Sequence, residues 1–332
     1  MKPSLSLVAD IGGTHARFAL ANGRRAAPLL METLNQFDVA DFPSLVAAAQ
    51  HYLDSVSPLP GTVDGAVFAV AGRVDGDVAR ITNHPWLISR LDVAVALGLD
   101  IDSVQLVNDF YAQSMAATLL SGTDIARIGA VPLAPNGGED RTYAVIGPGT
   151  GLGVSALLVR QGRTFALETE GGHVSFASGN EDEVAIWRLL SDQFGRVSNE
   201  RLLSGRGLCN IHRALRCIAG DATPAQTRPQ DITAGAREGD PTCLRTLEIF
   251  CQVFGDVAGD LVLTLGSWDG VFLSGGLVPK LLGELQGPAF RGRFEAKGRF
   301  SEAMARVPVL AVMHPQAGLL GAAALAMQAE NA

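Results

Sequence analysis

Asn108 and Asp109 close the apolar, strand-like run Gln105-Leu-Val-Asn-Asp-Phe110, so a strand would deliver an amide and a carboxylate side by side at its exposed end. A carboxylate within reach of a sugar hydroxyl can take its proton, an effect of roughly 10²–10⁴-fold on rate. The neighbouring amide can donate to and accept from adjacent hydroxyls. Two glycine hairpins flank this pair in the chain, Asp10-Ile-Gly-Gly-Thr14 and Gly147-Pro-Gly-Thr-Gly-Leu-Gly153. Phosphate oxygens need backbone N–H donors at short range, and glycine allows both a positive φ and a close approach that a Cβ would block. Gly12 and Gly13 supply this in the first turn, Gly149 and Gly151 in the second. Thr14 and Thr150 add a hydroxyl to each. Asp10, just ahead of its turn, suits a hydrated Mg²⁺, which takes few protein carboxylates and keeps several waters. Glu170 and His173 stand three apart across Gly171-Gly172. The two glycines would leave room for a ligand ring, and the carboxylate and imidazole would meet vicinal hydroxyls. Phosphate-cradling turns plus a lone carboxylate near hydroxyl-binding groups point to a kinase acting on a polyol.

Each feature also has an ordinary local explanation. A glycine turn can simply close a hairpin, and Asp109 can cap a helix over 109–119. Glu170-Gly-Gly-His173 can be a turn with a solvated Glu. Glu200, in Ser198-Asn-Glu-Arg-Leu-Leu-Ser-Gly205, can lie on a solvated helix face, and Asn83-His84 can be turn formers. No GxxxxGK[ST] occurs, and Gly147–Gly153 does not lead cleanly into a helix, which disfavours a dinucleotide site. Zinc is disfavoured because HExxH and Cys-rich spacings are absent.

The elements that must hold these groups alternate between strand and helix. Strands are expected at 5–9, 17–21, 29–33, 66–70, 77–81 and 104–107, then at 142–146, 154–159, 270–273 and 307–312. Helices are expected from an Asp41 cap to about 56, from a Ser89 cap to about 97, and at 109–119, 181–194, 205–218, 231–238, 241–265 and 318–329. In 241–265 the apolar residues Leu244, Leu247, Phe250, Cys251, Phe254, Val257, Ala258, Leu261 and Leu265 keep helical spacing. The strand–glycine turn–strand pattern occurs twice, at 5–21 and 142–159, as an internal repeat that opens each of two lobes. The alternation implies an α/β fold.

Bulk properties narrow the function classes. A chain of 332 residues suggests about two domains, and a 47% apolar content with 38 glycines is ample for a large core. A net charge of −8 with no basic stripe argues against nucleic acid as a partner. No apolar run reaches the roughly 18 residues a membrane helix needs. Met1–Leu5 meets Asp10 almost at once, leaving no room for a signal-peptide core, so a cytoplasmic location is expected. Cys209, Cys217, Cys243 and Cys251 form no CxxC or CxC pair and read as buried thiols in a reducing compartment.

Taken together the residues resemble the bacterial glucokinase family of the hexokinase/actin-like superfamily, over Leu5 to about Leu325. The matching stretches are Asp10-Ile-Gly-Gly-Thr-His-Ala-Arg17, Thr82-Asn-His-Pro-Trp86, Val107-Asn-Asp-Phe110, Gly147–Gly153, Glu170-Gly-Gly-His173, Glu200-Arg-Leu-Leu-Ser-Gly205, Ser274-Gly-Gly276 and Gly318-Leu-Leu-Gly321. Eight in order outweigh the local explanations. The resemblance implies a two-lobed hexokinase/actin-like fold with a ligand cleft between a small α/β domain, 1–119 joined by 313–332, and a large one, 120–312. It implies ATP-dependent phosphorylation of glucose at the 6-hydroxyl, with ATP and Mg²⁺, in a homodimer. By the same resemblance Asp109 is the catalytic base, and Asn83, Asn108, Asp109, Glu170, His173 and Glu200 bind the sugar. Asp10, Gly12, Gly13 and Thr14 form the first phosphate motif, Gly149, Thr150 and Gly151 the second, and Gly275 and Gly276 the adenosine-side turn. His15 stands where the family usually has Asn. The related ROK-type kinases carry a Cys-rich zinc motif where this chain has Ser175-Phe-Ala-Ser178. A kinase for another hexose and a catalytically silent sugar-binding relative would carry much the same residues.

Overall fold

The computed structural model describes residues 4–24, 27–81, 84–134, 140–221 and 227–330. The chain divides into two compact units, Met1–Ser121 with His314–Ala332, and Gly122–Met313. In chain order the strands are β1 (Ser4–Ile11), β2 (His15–Ala21), β3 (Leu29–Asp38), β4 (Thr62–Val70), β5 (Gly72–Asp75), β6 (Val78–Ile81), β7 (Leu87–Ser89) and β8 (Val104–Asn108) in the first unit. The second unit holds β9 (Ile125–Arg127), β10 (Arg141–Pro148), β11 (Leu152–Arg160), β12 (Arg163–Glu168), β13 (Gly270–Leu273) and β14 (Val309–Val312). The helices are α1 (Leu45–Ser55), α2 (Arg90–Leu97), α3 (Asp109–Ala116), α4 (Glu181–Phe194), α5 (Gly205–Ile218), α6 (Pro229–Arg237), α7 (Pro241–Leu265), α8 (Leu282–Leu285), α9 (Pro288–Glu295), α10 (Ser301–Met304) and α11 (Ala317–Glu330). No helix among the described residues is long and apolar enough to cross a membrane.

In the first unit the sheet order is β3-β2-β1-β4-β8. β2 runs antiparallel to β1 and β3, whereas β4 is parallel to both β1 and β8. β1 lies inside the sheet, and Leu5, Leu7, Val8, Ala9 and Ile11 are all buried, so apolar residues face both sides of it. β5, β6 and β7 form a separate small sheet. The α1 cap is Ser44, whose hydroxyl accepts from Ala47 N–H (3.2 Å), rather than Asp41, which sits in a preceding 3-10 turn. A serine hydroxyl aligned with the first free N–H groups wins over a carboxylate four residues upstream of the helix. Ser89 caps α2 as expected. α11 is buried on most of its surface and packs on β1, β4 and α3. Small side chains permit this: a Cβ on Gly321 would stand 1.6 Å from the Ala112 carbonyl oxygen of α3.

The second unit repeats the plan. Its sheet order is β12-β11-β10-β13-β14-β9. Its central strand β10 has an antiparallel neighbour, β11, which pairs with β12, and a parallel neighbour, β13, which pairs with β14. The repeat foreseen at 5–21 and 142–159 therefore extends to five strands in each unit. α7 packs closely on α9, where a Cβ on Gly255 would come within 2.1 Å of the Phe290 carbonyl oxygen. Of the four thiols, Cys243 and Cys251 are buried but Cys209 and Cys217, both on α5, are only half-buried. Burial pushes the Cys251 thiol up to about 12, so it is a packing group and not a nucleophile.

Candidate functional site

In the first unit the candidate groups gather at the C-terminal edge of β1, β4 and β8. The register aligns Ile11 with Val70 and Val70 with Asn108. Ligands of α/β sheets bind outside the carboxyl ends of parallel strands. Two strand spacings separate the ends of β1 and β8, about 10 Å.

The first glycine turn is closed by Gly12 N–H donating to the His15 carbonyl (2.9 Å). The next two N–H groups, of Gly13 and Thr14, donate to nothing among the described residues. Neither Gly12 nor Gly13 has a positive φ. Of the two reasons for glycine here, only the missing Cβ applies. His15 turns its Nε2 to Asp38 Oδ1 (3.2 Å), its register partner on β3. Asp10 pairs with Arg17 Nη1 (3.3 Å), which stands opposite it across the hairpin. A Cβ on Gly318, at the start of α11, would sit 2.7 Å from the Asp10 carboxyl carbon. Burial raises the Asp10 carboxyl above its ordinary value, and the Arg17 charge offsets part of that.

The raised Asp10 has a measurable consequence. The folded chain holds this proton to higher pH than the unfolded chain, so stability falls as pH climbs from 3.8 toward the raised folded value. Asp10→Asn removes that cost. The variant is expected to melt at or above the wild-type temperature near neutral pH, with the gap closing as pH falls below 3.8, and to lose activity. Thermal melts against pH, paired with turnover assays, check both halves.

Asn108, not Asp109, caps α3. Its Oδ1 accepts from Phe110 N–H (2.9 Å) and Tyr111 N–H (3.2 Å), and its Nδ2 donates to the Gly72 carbonyl (3.0 Å). The N-cap position falls on the last strand residue because that residue is still extended. Both Asn108 oxygen lone pairs are thereby taken, so it can offer a ligand one N–H and no acceptor. Asp109 sits in the first helical turn, where negative charge is favoured, and its Oδ1 lies 2.9 Å from Phe110 N.

In the second unit the turn between β10 and β11 repeats the design. Gly149 N–H donates to the Gly151 carbonyl (2.8 Å), and the Thr150 and Gly151 N–H groups donate to nothing among the described residues. A Cβ on Gly149 would meet no atom within 4 Å. Leu152 N–H donates to Glu200 Oε2 (3.0 Å). Gly205 N–H, opening α5, donates to the Gly149 carbonyl (2.9 Å). The turn after β13 lies against the end of β10: Gly275 has φ +87°, and a Cβ there would come 2.7 Å from the Pro148 carbonyl oxygen. Gly276 faces open space.

Glu170 and His173 flank a 3-10 turn whose glycines do something other than expected. A Cβ on Gly171 would lie 2.7 Å from Val154 Cγ1, and one on Gly172 would lie 2.0 Å from the Leu152 carbonyl oxygen. The glycines seat the turn on β11 instead of clearing space for a ligand ring. Glu170 Oε2 and His173 Nε2 stand 3.9 Å apart with side chains 83% and 56% exposed, both available to solute. Asn199 N–H donates to the Val174 carbonyl (2.9 Å), tying this turn to the one that carries Glu200. Gly149–Gly151, Glu170, His173, Glu200 and Gly275-Gly276 thus surround the ends of β10, β11 and β13. Asn83 lies outside the described residues. Sequence reasoning missed three supports. Arg17 was readable from the hairpin register, since it falls opposite Asp10. Gly318 entered only within the family stretch Gly318-Leu-Leu-Gly321, with no role of its own, and Arg196, whose Nη2 donates to the His173 carbonyl (2.6 Å), left no local signal.

The Glucokinase family model matches residues 7–329. A glucokinase of Stenotrophomonas maltophilia strain K279a is 59% identical over 326 residues, which cover 98% of this chain and 96% of that protein. The chain belongs to the glucokinase family. A second glucokinase, of Xanthomonas campestris pv. campestris strain B100, is 58% identical over 327 residues, again 98% and 96% of the two chains. The activity is that of the family, ATP-dependent phosphorylation of glucose. The crystal structure of a glucokinase from an Antarctic psychrotroph superposes with a TM-score of 0.85 at 33% identity, covering 98% of this chain and 99% of that one. A ROK family glucokinase from Streptomyces griseus, solved with glucose and AMPPNP, shares the fold at a TM-score of 0.65 and 21% identity, covering 98% and 99%.

The glucokinase donor set also fits a magnesium ion that arrives with the nucleotide. Asp10 is a single half-buried carboxylate, and no group of three or more His, Cys, Asp or Glu among the described residues could cage a metal. Mg²⁺ is characteristically held by one or two carboxylates, waters and substrate phosphates.

Proposed function

We propose that Asp109 is the base that takes the proton of the glucose 6-hydroxyl as its oxygen attacks the γ-phosphorus of ATP, giving glucose 6-phosphate and ADP. The observation that carries this reading is the placement of Asp109 beside the C-terminal edge of the same parallel strands that present Asp10 and the first glycine turn. Asn108 offers its remaining N–H to the sugar, and Glu170, His173, Glu200 and Asn83 complete the hydroxyl-binding set. The N–H groups of Gly13 and Thr14, and of Thr150 and Gly151, are the donors for the phosphates. Fixed N–H groups need no reorganisation as charge shifts in the transition state. Gly275 and Gly276 lie on the adenosine side. Bound through water to Asp10, Mg²⁺ would neutralise phosphate charge. The two units are read as the small and large lobes. The family resemblance further supports a cytoplasmic homodimer.

The test is Mg²⁺-ATP-dependent formation of glucose 6-phosphate by the purified protein, with mannose, fructose and N-acetylglucosamine in parallel. Glucose is expected to be turned over with the highest kcat/KM. Equal or better turnover of mannose would reassign the sugar, and glucose binding without turnover would identify a silent relative. Chelation of Mg²⁺ is expected to abolish the signal, and its return on adding Mg²⁺ back would separate metal loss from unfolding.

A further inference from the structure

We propose that His15 is a further nucleotide-binding residue: its protonated imidazole donates to a phosphate at the first glycine turn, and Asp38 positions it for that contact. This rests on the reading of the first turn as a phosphate site. His15 follows directly on Thr14, whose N–H is one of the two free donors of the turn. Two backbone bonds fix its root. Gly12 N–H donates to the His15 carbonyl (2.9 Å), and Val39 N–H, just past β3, donates to the Thr14 carbonyl (2.9 Å). Only rotation of the side chain is left to it. The register puts the imidazole on the polar face of the hairpin, since His15 pairs with Asp38, Arg17 with Gln36 and Asp10 with Arg17.

The His15–Asp38 pair does little for the fold. Its side chains are 46% and 62% exposed, and exposed ion pairs add little to stability. Its chemistry fits an anion better. Asp38 Oδ1, 3.2 Å from Nε2, favours a proton on that nitrogen. Nδ1 has no hydrogen-bond partner among the described residues. In the neutral ring Nδ1 then carries a lone pair, which repels a phosphate oxygen. In the imidazolium it becomes a donor, and its bond to phosphate is charge-assisted. Contact with the nucleotide therefore requires the second ring proton. Of the charged groups on this face, Asp10 is already paired with Arg17, which leaves Asp38 to favour the imidazolium. Asp41 follows β3 in the 3-10 turn. α11 packs on β2 and β3 but carries no charged residue over 317–329, and His314, ahead of it, accepts from Gln316 N–H through Nδ1 (3.2 Å). His51 of α1 lies on the other face, against Phe37 and Phe42.

Calorimetric titration of AMPPNP against pH, on the wild type, His15→Asn and Asp38→Asn, tests this. An asparagine amide donates at every pH, and the nucleotide's own ionisation is common to all three proteins and cancels in their ratios. From about pH 6 to about pH 8 the wild type is expected to lose about tenfold in affinity relative to His15→Asn, within the limit set by one linked proton. Titrations in buffers of unlike ionisation enthalpy should show the wild type taking up more protons per nucleotide than His15→Asn. Asp38→Asn keeps the shape of the side chain but not its charge, so its loss of affinity should begin at lower pH. A structural clasp would shift the melting temperature and move none of these. Wild-type and His15→Asn affinities that stay parallel across the range, with equal proton uptake, would overturn the proposal. A wild-type pH profile in Asp38→Asn would overturn the role of Asp38. Gly13→Ala separates these failures from failure of the phosphate reading: if it binds AMPPNP as tightly as the wild type, the first turn is no phosphate site and both readings fall.

Discussion

Asp109→Asn is expected to lower kcat by roughly 10²–10⁴-fold, the usual worth of a positioned general base. KM for glucose should change little, since the amide keeps the shape of the carboxylate and can still receive a hydroxyl. The melting temperature should fall only slightly, because the α3 cap belongs to Asn108, whose bonds to Phe110, Tyr111 and Gly72 are untouched, and Asp109 contributes only its first-turn charge and its contact with Phe110 N. That separation makes the result interpretable: a large fall in kcat at nearly constant stability and constant KM is loss of a transition-state role. Steady-state kinetics with a melt on the same preparation measures it. Near-wild-type turnover would remove Asp109 from the chemistry and send the search for the base to the other carboxylates of the set, Glu170 first.

Gly321→Ala, far simpler chemically, is expected to cost about 1–3 kcal/mol of stability, the typical penalty for overpacking a close contact. The added methyl would meet the Ala112 carbonyl oxygen at 1.6 Å, so α11 and α3 must separate. α3 begins at Asp109, and the displacement should reach the base. The expected result is a lowered melting temperature together with lowered kcat, from a residue that touches no substrate. Gly318→Ala makes an informative comparison because its methyl would press on Asp10, at 2.7 Å from the carboxyl carbon, and not on α3. A Gly321→Ala protein with unchanged stability would mean that α3 and α11 slide past one another freely, contrary to the close packing described.

Helices with their own punctuation were legible to the residue. α4, α5 and α7 start after Asn180, Ser204 and Asp240, each of which caps its helix, and α4 and α7 stop at Gly195 and Gly266. Such signals are local, and the sequence carries them in full. β3 was foreseen as 29–33 but runs to Asp38, because its polar second half is held by pairing to β2 rather than by its own apolar pattern. The same divide runs through the site. Asp10, Asp109, Glu170 and the two turns could be picked out by residue type. The role of Gly171 and Gly172 could not, since the atoms they make way for belong to Leu152 and Val154, nearly twenty residues earlier. Nor could the cap on α3 be assigned to Asn108 rather than Asp109 without knowing where the β8 backbone leaves the extended conformation.

The first unit is interrupted: residues 314–332 complete a body that otherwise ends at Ser121, with the whole of the second unit intervening. On a ribosome this reverses the order of completion. Residues 122–313 can emerge and close around their own core while the earlier strands still wait for α11 to cover β1, β4 and α3. During that interval the N-terminal sheet presents an uncovered apolar face, the condition under which nascent chains aggregate or recruit chaperones. The Ala-rich α11 is dense in helix formers, so covering that face costs little in local propensity.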